Sequence, residues 1–475
     1  MSKASSGGRG LSGRGLYIAI AAWLILVIVG GLCTWYGWLG PGRGESVPKV
    51  VPTTEPTTDS ANEGHDEEPG TGETTAAPEP SSTPSATRES DPAIDSTDEP
   101  TTPAEEGEPT PTLAPDASEE DFGYGIALNA VGGGDPAYWM GQAESLGLGW
   151  VKQQLRWAHF EGTPGEMDWS GFDAAVDAAN QRGLKVMFSV VDAPDWSRSY
   201  TDDNTEGAPP DNLELVADFM GRLVDRYKGR IHAIEVWNEQ NLDREWDTAG
   251  GVDPERYVEM LRLSYQAIKS RDSNIIVVSG ALSPTAGRQT DPNNPDRVIW
   301  MDDFDYMDQM IALDVLSYCD CVGAHHNGIN MPPDVAWDEG YDDPTAQFRG
   351  PFDNPHHSWS FQSTLWGYHE RIKAAGSDKP LCVTEFGWAS AEGFEGYPPG
   401  FEFALDNTLE EQAEWDVQAF ELMREWGFVR LAFLWNLNYS QLGWGPRDPN
   451  APYALIDFKG APRPAFHAIR EMEKP

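Results

Sequence analysis

From residue 122 onward, short apolar runs alternate with stretches whose apolar positions recur at helical spacing. The runs fall near residues 123–128, 150–155, 185–191, 233–237, 275–279, 321–324, 381–384 and 430–435, and predict strands. The stretches near 136–146, 169–182, 212–227, 254–270, 304–313, 360–375, 409–426 and 464–472 predict helices. Eight strands and eight helices in strict alternation imply an α/β chain with a parallel sheet. Eight units imply closure into a (β/α)8 TIM barrel.

The punctuation between elements agrees. Gly147, Gly183, Gly376 and Gly427 each stand between a helix and the next strand, where a left-handed helix end favours glycine. Asp253 before Pro254 reads as an N-cap followed by the first helical residue, and Thr408 with Glu411 has capping-box spacing. The competing fold, an open doubly wound sheet, usually carries a phosphate loop after its first strand. Gly132, Gly133 and Gly134 follow that strand here, but without GxGxxG spacing, and they read as a flexible loop.

The pattern changes before residue 121. Residues 16–39 are uncharged and almost wholly apolar, long enough to cross a ~30 Å hydrocarbon core. Residues 1–15 hold Lys3, Arg9 and Arg14 and no acid, so this tail is expected to stay cytoplasmic. Trp35, Tyr36 and Trp38 suit a membrane interface, and the run exceeds the ~7–15 apolar residues of a cleaved signal. A signal-anchor in the cell membrane, with everything after it outside, is the expectation. Residues 40–120 are rich in Pro, Thr, Ser and acids and contain no aromatic residue. Such a segment cannot bury enough apolar surface to offset its ordering entropy, so a disordered, extended linker is expected. The barrel then occupies residues 121–475.

Composition adds little to this picture. The chain has 77 acidic and 33 basic residues, a formal net charge of -44, but much of that charge sits in the linker. No nucleic-acid partner is expected, and the barrel is expected to be a monomer. Of four cysteines, Cys33 lies in the apolar run. Cys319, Cys321 and Cys382 remain, buried in the expected fold, with at most one disulfide among them.

The chemistry is read from where polar residues meet strand ends, because barrel active sites lie at the C-terminal ends of the strands. The second strand ends at Arg156 and the fourth at Asn238 and Glu239. The sixth ends at His325 and His326, the seventh at Glu385, and the eighth at Trp435 and Asn436. All fall on one rim. Two carboxylates there suit glycoside hydrolysis, where one protonates the leaving oxygen and the other attacks the sugar carbon or activates water. The acid is expected to have a raised pKa, and the nucleophile to be kept ionised by a cation, for which Arg156 is the candidate.

Residues 234–241 (IEVWNEQN) and 383–388 (VTEFGW) resemble the fourth- and seventh-strand motifs of clan A glycoside hydrolases, most like families 39 and 5. The closing segments 454–457 (ALID) and 464–466 (PAF) are also similar to the ends of these enzymes. The resemblance implies that Glu239 is the acid/base and Glu385 the nucleophile. It implies that Asn238 binds the sugar 2-hydroxyl, Trp435 forms an aromatic floor, Arg156 orients Glu385, and His325 is the sixth-strand histidine. Two positions depart from the pattern: Gln240 replaces a common proline, and Asn327 stands where many relatives have an aromatic hydroxyl.

Other residues have plainer readings. Glu235 lies inside the fourth strand and reads as a paired structural carboxylate. His325 and His326 split between the site and packing, and no third ligand at suitable spacing suggests a metal. The acid-rich stretches 302–308 and 334–343 lack calcium-loop spacing and read as solvated surface. Trp139, Trp157, Trp196, Trp246, Trp366 and Trp444 are subsite candidates, though most tryptophans pack in cores. The function expected is a cofactor-free, metal-free retaining glycosidase acting on an extracellular polysaccharide or oligosaccharide. A catalytically dead glycan-binding barrel would bind without releasing reducing ends, and an envelope-remodelling transglycosidase would transfer rather than hydrolyse.

Overall fold

Period-2 strands and period-3.6 helices resolve into the expected layers. A computed structural model describes residues 122–200 and 207–474. The expected cytoplasmic tail, membrane anchor and linker lie outside these residues. Among the described residues no helix is long and apolar enough to cross a membrane. In chain order the elements are β1 Gly123–Ala127, α1 Pro136–Ser145, β2 Trp150–Arg156, α2 Ser170–Asn180, β3 Lys185–Val191, α3 Glu214–Tyr227, β4 Ala233–Val236, α4 Pro254–Lys269 and β5 Ile276–Ser279. There follow a hairpin, β6 Arg288–Asp291 and β7 Asn294–Met301, then α5 Asp303–Ala312, β8 Val322–Gly328, a short α6 Gly350–Asp353 and α7 Phe361–Ala374. The chain closes with β9 Leu381–Trp388, α8 Leu409–Trp426, β10 Val429–Leu434 and α9 Pro464–Glu471.

Eight strands form one parallel sheet in the order β5-β4-β3-β2-β1-β10-β9-β8. The isolated bridges Val278↔Cys321 and Leu282↔Ala324 join its two ends, so the sheet closes. The β6–β7 hairpin is an insertion after β5 that the alternating pattern did not predict. β6 is short and polar, and β7 is apolar only in its second half, Val298–Met301, so neither carries the full apolar run by which barrel strands announce themselves. Helix ends follow the sequence signals: Thr408 and Glu411 form a reciprocal capping box, and Gly427 ends α8 in the left-handed region at φ 71°.

The barrel interior is layered, and the layering positions the site. At the N-terminal end Trp150, Met187, Ala233, Val278, Leu431 and Phe433 pack with Cys321 and Cys382, which form a disulfide with Cα atoms 5.7 Å apart. Cys319 is a buried free thiol. One layer nearer the C-terminal rim the inward side chains turn polar: Lys152, Glu235, Thr384, His325 and Glu385, all buried. Alternation explains Lys152, which shares the inward face of β2 with Trp150. It does not explain Thr384 and Glu385, which are adjacent in sequence yet both point inward. A register shift between Ala324 and His325 against β9 accounts for this, since a bulge puts two successive residues on one face.

Candidate active site

β4 carries the first carboxylate. The strand ends at Val236, and beyond it Trp237 and Glu239 adopt φ values of 80° and 43°. Left-handed backbone at non-glycine residues costs on the order of 1–3 kcal/mol each and persists only where surroundings enforce it. Here the enforcing contacts are Trp237 N donating to Val190 O at 3.0 Å, Trp237 Nε1 donating to Glu245 O at 2.7 Å, and Glu239 N donating to Ala281 O at 2.8 Å. Gln240, at the first departure from the family pattern, is held by a bond from Nε2 to Gly280 O of 2.8 Å.

Glu239 and Glu385 meet at His325. Glu239 Oε1 lies 3.3 Å from His325 Nδ1, and Glu385 Oε1 lies 3.9 Å from Nε2 of the same ring. Burial lowers the pKa of His325, but the two carboxylates outweigh it and raise the imidazole above its ordinary range. On its other oxygen Glu239 accepts from Arg244 Nη2 at 2.5 Å. Burial alone would push the Glu239 carboxyl up. The hydrogen bond from His325 and the charge of Arg244 outweigh burial and hold it below the usual range. The raised pKa expected for the acid is therefore not found, because two cations flank the group.

The cation at hydrogen-bonding distance of Glu385 is Lys152, not Arg156. Lys152 Nζ lies 3.0 Å from Glu385 Oε1, 3.2 Å from Glu235 Oε2 and 3.2 Å from Thr384 O. Burial lowers the lysine pKa, but Glu235 and Glu385 outweigh it, so the ammonium is retained. Glu235 is the structural carboxylate its position suggested. It accepts from Thr384 Oγ1 at 2.6 Å, and Lys152 and His325 overcome its burial to keep it ionised. Arg156 sits two pleat repeats nearer the rim, where its guanidinium is 4.0 Å from Glu245 Oε1. The physical reason is depth: Arg156 lies four residues beyond Lys152, ~13 Å along the strand, so the nearer cation takes the buried carboxylate.

Around the glutamates the remaining predicted residues divide. Asn238 is fully buried with neither amide atom bonded to protein, a group poised for a ligand. Trp435 is buried with an unbonded Nε1 and, with Arg156, lines a cavity of about 260 Å³ at the ends of β1, β2 and β10. Gln154, His159, Tyr439, Trp444 and Asn450 are among the other residues of that wall. Tyr439 packs against Trp435 with ring centroids 4.7 Å apart and planes tilted by 45°. Burial, then the nearby Glu385 charge, raises its phenol pKa, so it stays a neutral donor. His326 turns away from the site, as strand alternation requires of the neighbour of His325. It packs edge-on against Phe361 at 5.8 Å, and burial pushes its pKa down to about 4. Of the subsite tryptophans, Trp444 lines the cavity, while Trp139, Trp157 and Trp246 are core.

Lys152, Arg244, Tyr439 and Asp192 were not foreseen. Lys152 had a signal, a charged residue within an otherwise buried strand. Asp192 follows β3 on the same rim, 3.7 Å from His159 Nε2, and burial pushes its carboxyl up to about 7 against the pull of Arg156 and Arg198. Arg244 and Tyr439 come from loops whose course no periodicity specifies. Among the acid-rich stretches, Asp303 is not solvated: it is fully buried and accepts from Thr285 N and Tyr368 Oη.

No family model matches the chain. Among solved structures, a family 39 glycoside hydrolase from Bacteroides cellulosilyticus WH2 is similar at 16% identity, covering 74% of this chain and 63% of its own, with a TM-score of 0.52. A monomeric beta-xylosidase from Caulobacter crescentus CB15 is similar at 20% identity, covering 74% and 67%, with a TM-score of 0.49. Xylanase 10B from Thermotoga petrophila RKU-1 is similar at 15% identity, covering 74% and 94%, with a TM-score of 0.48. The chain thus spans 63% of the length of the family 39 hydrolase. At such identity the likeness to that hydrolase is one of fold, and it bears out the barrel.

Proposed function

We propose that this chain is a retaining glycoside hydrolase that cleaves O-glycosidic bonds of a polysaccharide or oligosaccharide outside the cell. One observation carries the reading: two buried glutamates, from β4 and β9, contact opposite nitrogens of one imidazole. Retaining pairs stand ~5–5.5 Å apart and inverting pairs ~6.5–9.5 Å, with a water lodged between. The nucleophile role that the resemblance to clan A glycoside hydrolases implies for Glu385 favours the shorter class.

In this reading Glu385 is the nucleophile. Its carboxylate is neutralised by Lys152 from within the barrel, which leaves the other oxygen for the anomeric carbon. Glu239 protonates the departing oxygen and afterwards deprotonates water. Its proton must come at the expense of the Arg244 contact, so substrate entry on that side has to displace the guanidinium. Asn238 offers an unbonded buried amide to a sugar hydroxyl, and Trp435 and Tyr439 give the ring a floor. Tyr439 supplies from the loop after β10 the phenol that Asn327 does not supply from β8.

The same reading places the barrel outside the membrane, tethered by residues 16–39. The buried Cys321–Cys382 disulfide supports an oxidising compartment. The test is a glycan panel assayed with the wild type and with Glu385→Gln. Hydrolysis by the wild type with retained anomeric configuration, lost in the variant, is expected; equal turnover in both would refute the assignment. Binding without any release of reducing ends would favour the dead-barrel alternative. Protease accessibility of the barrel on intact cells tests the topology.

A further inference from the structure

We propose that Asp302, His356 and His357 form a binding site for a zinc-class divalent cation that clips the start of α5 to the loop between α6 and α7. The inference is independent of the glycosidase reading. One donor atom from each residue lies within 4.8 Å of the others, and Asp302 Oδ2 is 3.8 Å from His356 Nε2. Tetrahedral zinc, with bonds of ~2.0–2.2 Å, sets its ligand atoms roughly 3.3 Å apart, so a small inward movement completes the geometry. Two imidazoles and one carboxylate favour zinc over calcium or magnesium, which take oxygen ligands.

Each ligand is already oriented. Asp302 caps α5: its Oδ1 accepts from Phe304 N at 2.9 Å, and its Oδ2 accepts from Gly287 N at 3.2 Å. His356 Nδ1 lies 3.0 Å from Ser358 Oγ, an outer partner that would fix the tautomer leaving Nε2 for metal. The His357 ring lies parallel to Phe304 with centroids 3.5 Å apart. The competing contact is Asp303 Oδ1, 3.1 Å from His357 Nε2. Metal binding would move the His357 proton to Nδ1 through solvent. Asp303 would not be orphaned, because Thr285 N and Tyr368 Oη still donate to it at 2.9 and 2.7 Å. His356 is about one-third exposed and borders a groove with Trp337, Tyr341 and Arg349, which gives the ion an entry path and an open position for water.

The test uses the full chain, stripped with a chelator and titrated with Co2+ or Zn2+. One equivalent of cobalt should bring up the strong visible bands of a tetrahedral site, and zinc should raise the thermal midpoint. His356→Ala should lose the bands and weaken zinc binding at least tenfold, while its metal-free form melts with the metal-free wild type. Absence of stoichiometric uptake, or bands that persist in His356→Ala, would overturn the site.

Discussion

Removing the Arg244 charge should move the alkaline limb of the pH–activity profile to higher pH. Arg244 Nη2 contacts Glu239 Oε2, and both side chains are largely buried. For unit charges ~4 Å apart, an effective dielectric of ~20 gives about 4 kcal/mol. At 1.36 kcal/mol per unit this is about three pKa units, the upper end of the ~1–3 expected from one opposite charge. Arg244→Met should therefore raise the Glu239 pKa by ~1–3 units, with His325 still holding part of the depression. The general acid works protonated, so the alkaline limb of kcat/KM reports its loss of a proton in the free enzyme. The wild type should lose activity as pH rises through the depressed Glu239 value, and the variant should retain it to higher pH. The assay is kcat/KM against pH on an aryl glycoside that the wild type cleaves, with Arg244→Lys as the charge-conserving control. Lost substrate contacts would lower the whole profile, but only electrostatics displaces the limb. A limb that overlays the wild type would refute the reasoning. The sign for stability follows from the same depression: Glu239 stabilises the fold above its unfolded pKa, and that contribution disappears as pH falls through the lower folded value.

Lys152→Met should destabilise the fold by ~3–5 kcal/mol in denaturant titrations at neutral pH, because it leaves two carboxylates buried without their cation. That gap should narrow in acid, since the depressed Glu235 stabilises the wild type above its unfolded pKa and ceases to as it protonates. Glu239→Ala should slow substrates with poor leaving groups far more than activated aryl glycosides, which need no protonation; an equal loss on both would argue against the acid/base role. The paired change Cys321→Ala with Cys382→Ala releases a loop with a sequence separation of 61 residues. It should cost ~2–4 kcal/mol in urea titrations, and an unchanged midpoint would mean the unfolded chain gains nothing from the bridge. Cys319, buried with its thiol pushed up to about 12, should resist maleimide in the native protein and label once unfolded.

The barrel was legible in the chain because its information is local and periodic. Apolar runs four to eight residues long, helical stripes between them, and glycine or capping residues at the joins each report on their own neighbourhood, and repeating the unit eight times leaves closure as the economical solution. Glu239 and Glu385 were legible for a related reason: strand ends in such a barrel all reach one rim, so a carboxylate at a strand end is placed without knowing any loop. What surrounds those carboxylates was decided by tertiary structure. Depth along β2 gives Glu385 to Lys152 rather than Arg156, and a bulge in the β8–β9 pairing turns both Thr384 and Glu385 inward. The loop after β4 brings Arg244 back onto Glu239, and strand parity sends His325 inward and His326 out. These outcomes depend on ångström-scale register and on loops that repeat nothing. An electrostatic balance set by such distances, including the Glu239 carboxyl held ionised where a raised pKa was expected, cannot be read from residue type and spacing.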